Sequence, residues 1–594
     1  MAEPSTAGED AAPGTRLPPP APTRLDAPPR PATADPAELG FRRRAMVRWF
    51  DPHQLLDTAR RVVLSGMFGS YTDQREVQGL IPATVADRSG TELWFDYVAD
   101  LGDGWNSTYT VARLLATEEL TLDWAGRSYV TTRGGVLIMG GDQVYPVPTR
   151  ANYENRFLGP YRSALPTVPD GQENPELFAI PGSHDWYDGL INFTSVFCEG
   201  RFIGGWRTRQ TRSYFALKLP HGWWLWAIDI QFGSYIDDAQ LNYYTDVART
   251  QVRPGDRVIL CIAKAVASSR DQEEICSDRH PAYLEREIIE PAGARVVLHL
   301  QSGRHHYCRY QEEGGPGHHI IAGGGGAFLH PTHHLPPRLD VPNVHGERQY
   351  RQAAAYPSPP SSRRLRKRVF LLPFYNLPLA AVFGGLYVLV GLILGLHLRD
   401  RHVALGVAAL WHAVWGSSLL FLLLLIGGGV LAAMVQFAHG ARHMVFRLVI
   451  GALNFSLQLA IMAGVFVAAS RLSSGFGSGG PSGTVAFFAF AGVLGGLGAS
   501  FAMSAYLWAA NCLGLHDNEA YAPLHHMDYK HFVRLHVDAD GALTVFPVAI
   551  DRVGRRWRTC PDAPPHAPWF APDGPEPEAR LIEEPIRFPG GRSS

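Results

Sequence analysis

The stretch GVLIMGGDQVYP, Gly135–Pro146, decides how the rest of the chain is read. An apolar run, Val136–Met139, has the look of a short buried strand, and it leads straight into a glycine pair and Asp142. A buried strand that ends in a polar loop is how mixed α/β proteins carry reactive side chains. The pattern recurs on both sides: LWFDYVADLGDG (Leu93–Gly104), LFAIPGSHDWYDG (Leu177–Gly189), WWLWAIDIQFG (Trp223–Gly233), DRVILCIAK (Asp256–Lys264) and ARVVLHLQSGRHHY (Ala294–Tyr307). Residues 90–340 are therefore expected to form one mixed α/β domain. Its chemistry falls on the loops at Asp100, Asp142, Ser183–Asp185 and Gly303–His306. A single Gly-Asp turn is commonplace; four strand-ending loops in series are much more specific.

Further along, the chain changes solvent. Residues 369–511 hold four apolar runs, Tyr375–Leu396, Ser417–Phe437, Phe446–Val467 and Val485–Ala509. Each is long enough for ~30 Å of hydrocarbon, which takes about 20 residues. They predict an all-α, multi-pass transmembrane domain of about four helices in contact with the lipid bilayer; the shorter Val403–Trp415 run leaves a fifth crossing open. The polar residues inside the spans are chiefly Asn454 and Gln458, which argues against a transport path. AGVLGGLGAS (Ala491–Ser500) predicts close helix packing instead. Arg363, Arg364, Arg366, Lys367 and Arg368 precede the first span, and Arg442 and Arg447 separate the second from the third. That bias, against Arg399 and Arg401 on the far side, predicts a plasma-membrane protein with both termini and the soluble domain in the cytoplasm.

The flanks complete the division. Residues 1–38 read as an Ala/Pro-rich disordered tail, 39–89 as an amphipathic helical lead-in, and 341–368 as a basic linker. In 512–560, HVDADGALTVFPVAIDRV (His536–Val553) reads as two strands around a DADG turn, a small β-rich C-terminal segment able to pack on the first domain. Residues 561–594 read as a Pro-rich tail. A net charge of −1 gives no general field for nucleic acid, so no nucleic-acid partner is expected. Six cysteines without CxxC spacing point to reduced thiols rather than to a disulfide framework or zinc ribbon. The Gly323–Gly326 run lacks the P-loop spacing.

Taken in order, Asp100-Leu-Gly, Gly-Asp142-Gln-Val-Tyr145, Gly-Ser183-His184-Asp185 and Gly-Arg304-His305-His306 resemble the motif series of the calcineurin-like metallophosphoesterases. The GDxxY form resembles the purple acid phosphatase branch, and GGGGAFLHPTHH (Gly323–His334) is similar to membrane-linked members. The resemblance covers about residues 90–310 and implies a four-layer α/β sandwich with one or two metal ions of Fe, Mn or Zn type. Such a site clamps the attacking and leaving oxygens of an in-line displacement. The implied first metal site is Asp100, Asp142, Tyr145 and His306, all present, with Asp103 an alternative to Asp100 and Tyr145 suggesting iron.

The implied second site is altered. Ser183 stands where an amide is expected, DRVILCIAK leads into Lys264 without a histidine, and Arg304 replaces the first histidine of the last motif. A shifted register would put His305 in the ligand role. The resemblance further implies that His184 assists proton transfer and that Asp185 orients it or a neighbour. Arg304, with Lys264, would supply charge in place of the second metal, since guanidinium binds phosphoryl oxygens bidentately. Trp186, Tyr187 and Asp188 either line the mouth or pack its rim. The expected function is that of a membrane-anchored, metal-dependent hydrolase of a phosphorylated substrate. The alternative is a catalytically weak or inactive phosphoesterase-fold sensor; a transporter with a regulatory domain is the third reading.

Overall fold

The computed structural model describes residues 29–58, 60, 84–230, 236–265, 280–343, 346–399, 412, 415–423, 425, 427–428, 444–477 and 480–591. Two nine-stranded mixed sheets form the soluble part. The first runs Arg580–Leu581, Leu543–Ile550, Lys530–Val537, Leu93–Val98, Val136–Met139, Glu176–Ala179, Trp206–Thr208 and Phe202–Ile203, with Ile586–Phe588 also paired to Leu543–Ile550. The second runs Ala86–Asp87, Phe215–Lys218, Trp223–Ile228, Arg257–Ile262, Arg295–Gln301, His318–Ala322, Tyr307–Glu312, Gly346–Tyr356 and Arg338–Asn343.

Strand periodicity explains the layering, because successive side chains point to opposite faces. In WWLWAI, Trp223, Leu225 and Ala227 enter the core between the sheets, while Trp224, Trp226 and Ile228 face outward to the Asp238–Thr250 helix. In LWFDYV, Phe95 and Tyr97 point inward; Trp94 and Val98 meet a second outer layer built on the helices Trp105–Ala116, Gly159–Ala164 and Ile191–Phe197. Helix, sheet, sheet, helix: this is the four-layer sandwich expected from the sequence.

The C-terminal chain is more deeply committed than a separate segment would be. Lys530–Val537 pairs antiparallel with Leu93–Val98, Val533 opposite Tyr97 and Leu535 opposite Phe95, so the chain beyond the apolar region completes the first sheet. Beneath the pairing, Arg534 Nε meets Asp96 Oδ1 at 2.7 Å and Nη2 meets Oδ2 at 3.2 Å, both side chains buried. Residues 561–591, read as a tail, contribute Phe570–Pro572, Arg580–Leu581 and Ile586–Phe588, and Phe570 and Leu581 are buried in the outer helical layer. The stretch read as a linker supplies most of the Arg338–Asn343/Gly346–Tyr356 hairpin.

The lead-in is described only in part. Residues 42–48 carry neither helix nor strand and 52–58 are helical, while most of 59–83 lies outside the described residues. Tertiary bonds claim this backbone: Val47 N donates to Asp103 Oδ1 (2.7 Å) and Arg44 O accepts from Trp105 N (2.8 Å).

Three helices, Leu377–Arg399, Met444–Ser473 and Pro481–Cys512, contain segments long and apolar enough to cross a membrane. They hold the first, third and fourth expected spans; Ser417–Phe437 lies largely outside the described residues. Small residues bring the first and last together: a Cβ on Gly384 would stand 2.6 Å from Gly492 O, and one on Gly496 2.5 Å from Ala380 O. That is the close approach expected of AGVLGGLGAS.

Candidate functional site

Asp100 and Asp142 end adjacent parallel strands, and their loops continue the ladder. Asp100 N donates to Gly141 O (3.0 Å), Leu101 N to Asp142 O (2.9 Å) and Gly102 N to Gln143 O (3.0 Å). Both aspartates take the left-handed conformation, φ 56° and 50°, which is uncommon for residues other than glycine. Such strain persists where surrounding bonds over-determine it, and here it delivers two carboxylates to one point. Glycine makes room for each: a Cβ on Gly323 would overlap Asp100 Oδ2, and one on Gly182 would overlap Asp142 Oδ1.

Tyr145 occupies that point. Its hydroxyl lies 3.2 Å from Asp100 Oδ1, 3.2 Å from Asp142 Oδ2 and 3.1 Å from His305 Nε2. His305 Nδ1 is 2.8 Å from Phe328 O, a carbonyl that can only accept, so Nδ1 carries the hydrogen and the Nε2 lone pair faces Tyr145. Burial holds His305 well below the ordinary imidazole pKa, consistent with a neutral ring. Burial, then repulsion from Asp142, pushes Asp100 well above the carboxylate range. Three electron-pair donors thus surround a phenol that has one hydrogen to offer.

This donor set fits a cation. It joins two carboxylates, a phenol oxygen and an imidazole whose other nitrogen is anchored to a carbonyl, the arrangement usual for a metal-binding histidine. Among the described residues, no three His, Cys, Asp or Glu side chains already stand together as a metal-holding group. The convergence here is on the tyrosine oxygen.

The remaining expected residues divide. His184 is half-buried; its N donates to Asp142 Oδ1 (2.8 Å), and its Nδ1 lies 2.7 Å from Pro146 O, which leaves Nε2 outside that bond. Tyr145, Tyr187 and Trp49 flank that ring at 4.5, 5.0 and 5.7 Å. Asp185 is wholly buried and accepts from Gln143 N, Gly182 N and Tyr153 Oη, so it staples the two loops rather than touching His184. Burial, then Asp142, pushes it up to about 8. Ser183 and Arg304 are half-buried, and Lys264 Cα lies 3.8 Å from a Cβ built on Gly303. His306 is buried with neither ring nitrogen hydrogen-bonded, held down to about 3 by burial and then by Arg304, with Asp517 opposing. His305, not His306, is the ring on Tyr145. Asp103 receives Val47 N and Phe328 N (2.7 and 3.0 Å), which makes it a tie between the lead-in and the glycine-rich loop.

Sequence reasoning missed three neighbours. His330 stacks on His305 (centroids 4.1 Å apart) and accepts from its main-chain N. Trp49 packs edge-on against Tyr145. Lys530, fully buried, donates to Ala327 O at 2.6 Å, and burial holds its amine down to about 8. Only the sheet pairing could have located Lys530, since it is 430 residues beyond Asp100. A depressed lysine has a sign. The unfolded chain holds this proton between about pH 8 and the ordinary lysine range while the folded chain does not, so stability rises with pH across that window. The slope contributed is at most about 1.4 kcal/mol per pH unit, and below the window it is flat. Lys530→Met should remove that component, read as the wild-type minus variant difference in unfolding midpoint from pH 7 to 10.

Fold and site define a two-sheet α/β sandwich with a carboxylate–phenol–imidazole centre at its strand ends, carried on helices of membrane-spanning length. No family model matches the sequence, and no curated protein matches it. The structure is similar to GAP50, the anchor in the inner membrane complex of Plasmodium, at 13% identity and TM-score 0.28, over 39% of this chain and 72% of that one. It is similar to PhoD at 9% identity and TM-score 0.27, over 41% and 59%. It is also similar to the purple acid phosphatase PPD1 from yellow lupin (Lupinus luteus) seeds at 13% identity and TM-score 0.24, over 42% and 46%. The chain spans less than two thirds of the last two.

Proposed function

We propose that the chain is a membrane-anchored, metal-dependent phosphoester hydrolase. The observation that carries this reading is the Tyr145 hydroxyl surrounded by Asp100 Oδ1, Asp142 Oδ2 and His305 Nε2. Those four residues would hold one ion of Fe, Mn or Zn type. When bound, the ion supplies positive charge against phosphoryl oxygens and lowers the pKa of a water. The chain's own residues do the rest. His184, with Nδ1 tied to Pro146 O, presents Nε2 to pass a proton to the leaving oxygen. Arg304 on the rim clamps phosphoryl oxygens where a second metal's ligands are replaced. Asp185 positions His184 through the loop backbone it staples.

His305 and His306 separate this arrangement from the register the family motif implies. His305→Ala should weaken metal binding by more than the ~10–100-fold that outer-shell partners carry, while His306→Ala stays within a few-fold, by calorimetric titration with Mn or Zn. Equal losses would reverse the assignment.

Topology supports a cytoplasmic soluble domain. Strands before and after the apolar region share one sheet, so the chain crosses an even number of times between Tyr356 and Lys530, as four spans provide. The Arg363–Arg368 cluster then marks the cytoplasmic side. The deciding experiment is a metal-screened panel of aryl phosphates on detergent-solubilised full chain, with Asp142→Asn as control. No turnover with any metal, and no difference from the control, would leave the sensor reading in its place.

A further inference from the structure

The wall of the candidate site is also the end of the membrane-helix bundle. Trp49, whose ring faces His184, Tyr145 and Phe328, is followed by Phe50. Phe50 packs on a cluster of Val369 and Leu372 with Met503, Tyr506, Leu507 and Ala510 of the last long helix. On the other side His330, stacked on His305, reaches Asn518 (Nε2–Oδ1 3.3 Å) in the Asp517–Tyr521 helix, just past the helix end at Cys512.

Depth follows from length. Pro481–Cys512 has 32 residues and so spans about 48 Å at 1.5 Å per residue, against ~30 Å of hydrocarbon. About 12 residues remain, enough to carry its last turns, with Met503 to Ala510, through the headgroup layer. The site therefore abuts the depth at which lipid phosphates lie.

The surface at that level has matching charge. Arg363, Arg364, Lys367 and Arg368 are exposed beside exposed Phe370, Phe374 and Tyr375, and Arg48 is exposed one residue before Trp49. Nearby acids are engaged: Asp517 with His334 and Asn511, Asp528 with Arg555. Basic residues among interfacial aromatics attract anionic membrane surfaces.

We propose that the substrate is an anionic membrane lipid with a terminal phosphate, held by this collar and admitted to the site from the bilayer surface beside Trp49. The inference rests on the phosphoesterase reading. Water adds to phosphorus, the bond from phosphorus to the lipid oxygen breaks, and that oxygen takes a proton; the products are the lipid alcohol and inorganic phosphate.

The test uses full-length protein in phosphatidylcholine vesicles doped with phosphatidate, against para-nitrophenyl phosphate and glycerol 3-phosphate in solution. Phosphatidate should be the best substrate. The triple variant R363Q/R364Q/K367Q should lower its turnover at least about tenfold while aryl phosphate turnover stays within twofold. Because those cations also orient the first span, R48Q gives an independent reading and should act in the same direction. If the soluble esters are hydrolysed and phosphatidate is not, or both variants slow all substrates alike, the lipid assignment is overturned and the hydrolase reading stands. If nothing is hydrolysed with any metal, both fall.

Discussion

Asp142→Asn should abolish phosphoester turnover, by at least about 10³-fold, the scale on which a principal electrostatic contributor acts, and should stabilise the metal-free protein. The two effects have one cause. Asp142 accepts His184 N at Oδ1 and faces the Tyr145 hydroxyl at Oδ2. An amide oxygen can keep the first bond, so the GSHD loop stays in place. At the second position an NH2 group would turn a donor toward a centre built of acceptors, removing the negative charge that, after burial, most raises Asp100. Without metal that charge is uncompensated and its loss should be stabilising; with metal it would hold the ion. Thermal unfolding in chelator should therefore move up for the variant. Saturating Mn or Zn, which stabilises a binder by about 2.7 kcal/mol at 100 times Kd, should move wild type and leave the variant unmoved. A metal-induced shift that survives in Asp142→Asn would remove Asp142 from the site.

Much of this centre was legible because each strand-end loop carries its own signal: an apolar run, then glycine beside a carboxylate or imidazole. Asp100 and Asp142 were found at such strand ends and Tyr145 through the resemblance of the GDxxY form, and the structure draws them to one oxygen. The choice between adjacent histidines was not visible, since a dipeptide does not say which ring faces inward. A usable signal lay one strand further on. Tyr307 enters the inter-sheet core while Cys308 and Tyr310 face away, and two-residue periodicity carried back puts His305 on the side of Tyr307. Lys530, His330 and Trp49 were out of reach for another reason. Their positions depend on strand pairing and loop closure across hundreds of residues, which local pattern does not encode. Within the lead-in, residues 42–48 are not helical where Asp103 and Trp105 bind the backbone of Val47 and Arg44; tertiary bonds override local propensity there.

The same long-range pairing yields the largest expected effect on folding. Asp96 accepts Arg534 at 2.7 and 3.2 Å and Gly134 N at 3.0 Å, and it is the charged contact of Leu93–Val98 with the strand that follows the long apolar helices. Asp96→Ala would leave a guanidinium buried without its carboxylate, at a cost of about 3–5 kcal/mol, a large part of the ~5–15 kcal/mol that holds a domain together. The loss should be local first: the Lys530–Val537 and Leu543–Ile550 strands leave the sheet, and cleavage appears at the exposed Ala539–Asp540 turn. Lys530 would leave with them, so the site should loosen although no residue in it has changed. Replacing both partners, Asp96→Leu with Arg534→Met, removes the buried charge along with its complement and should recover most of the stability, because an apolar pair of similar volume needs no desolvation of ions. Proteolysis and unfolding midpoints of the two variants decide the matter. If the single variant is as resistant as wild type, the ion pair is not what joins the two halves of the chain. If the double variant is no better than the single, packing around Asp96 rather than its charge carries the connection.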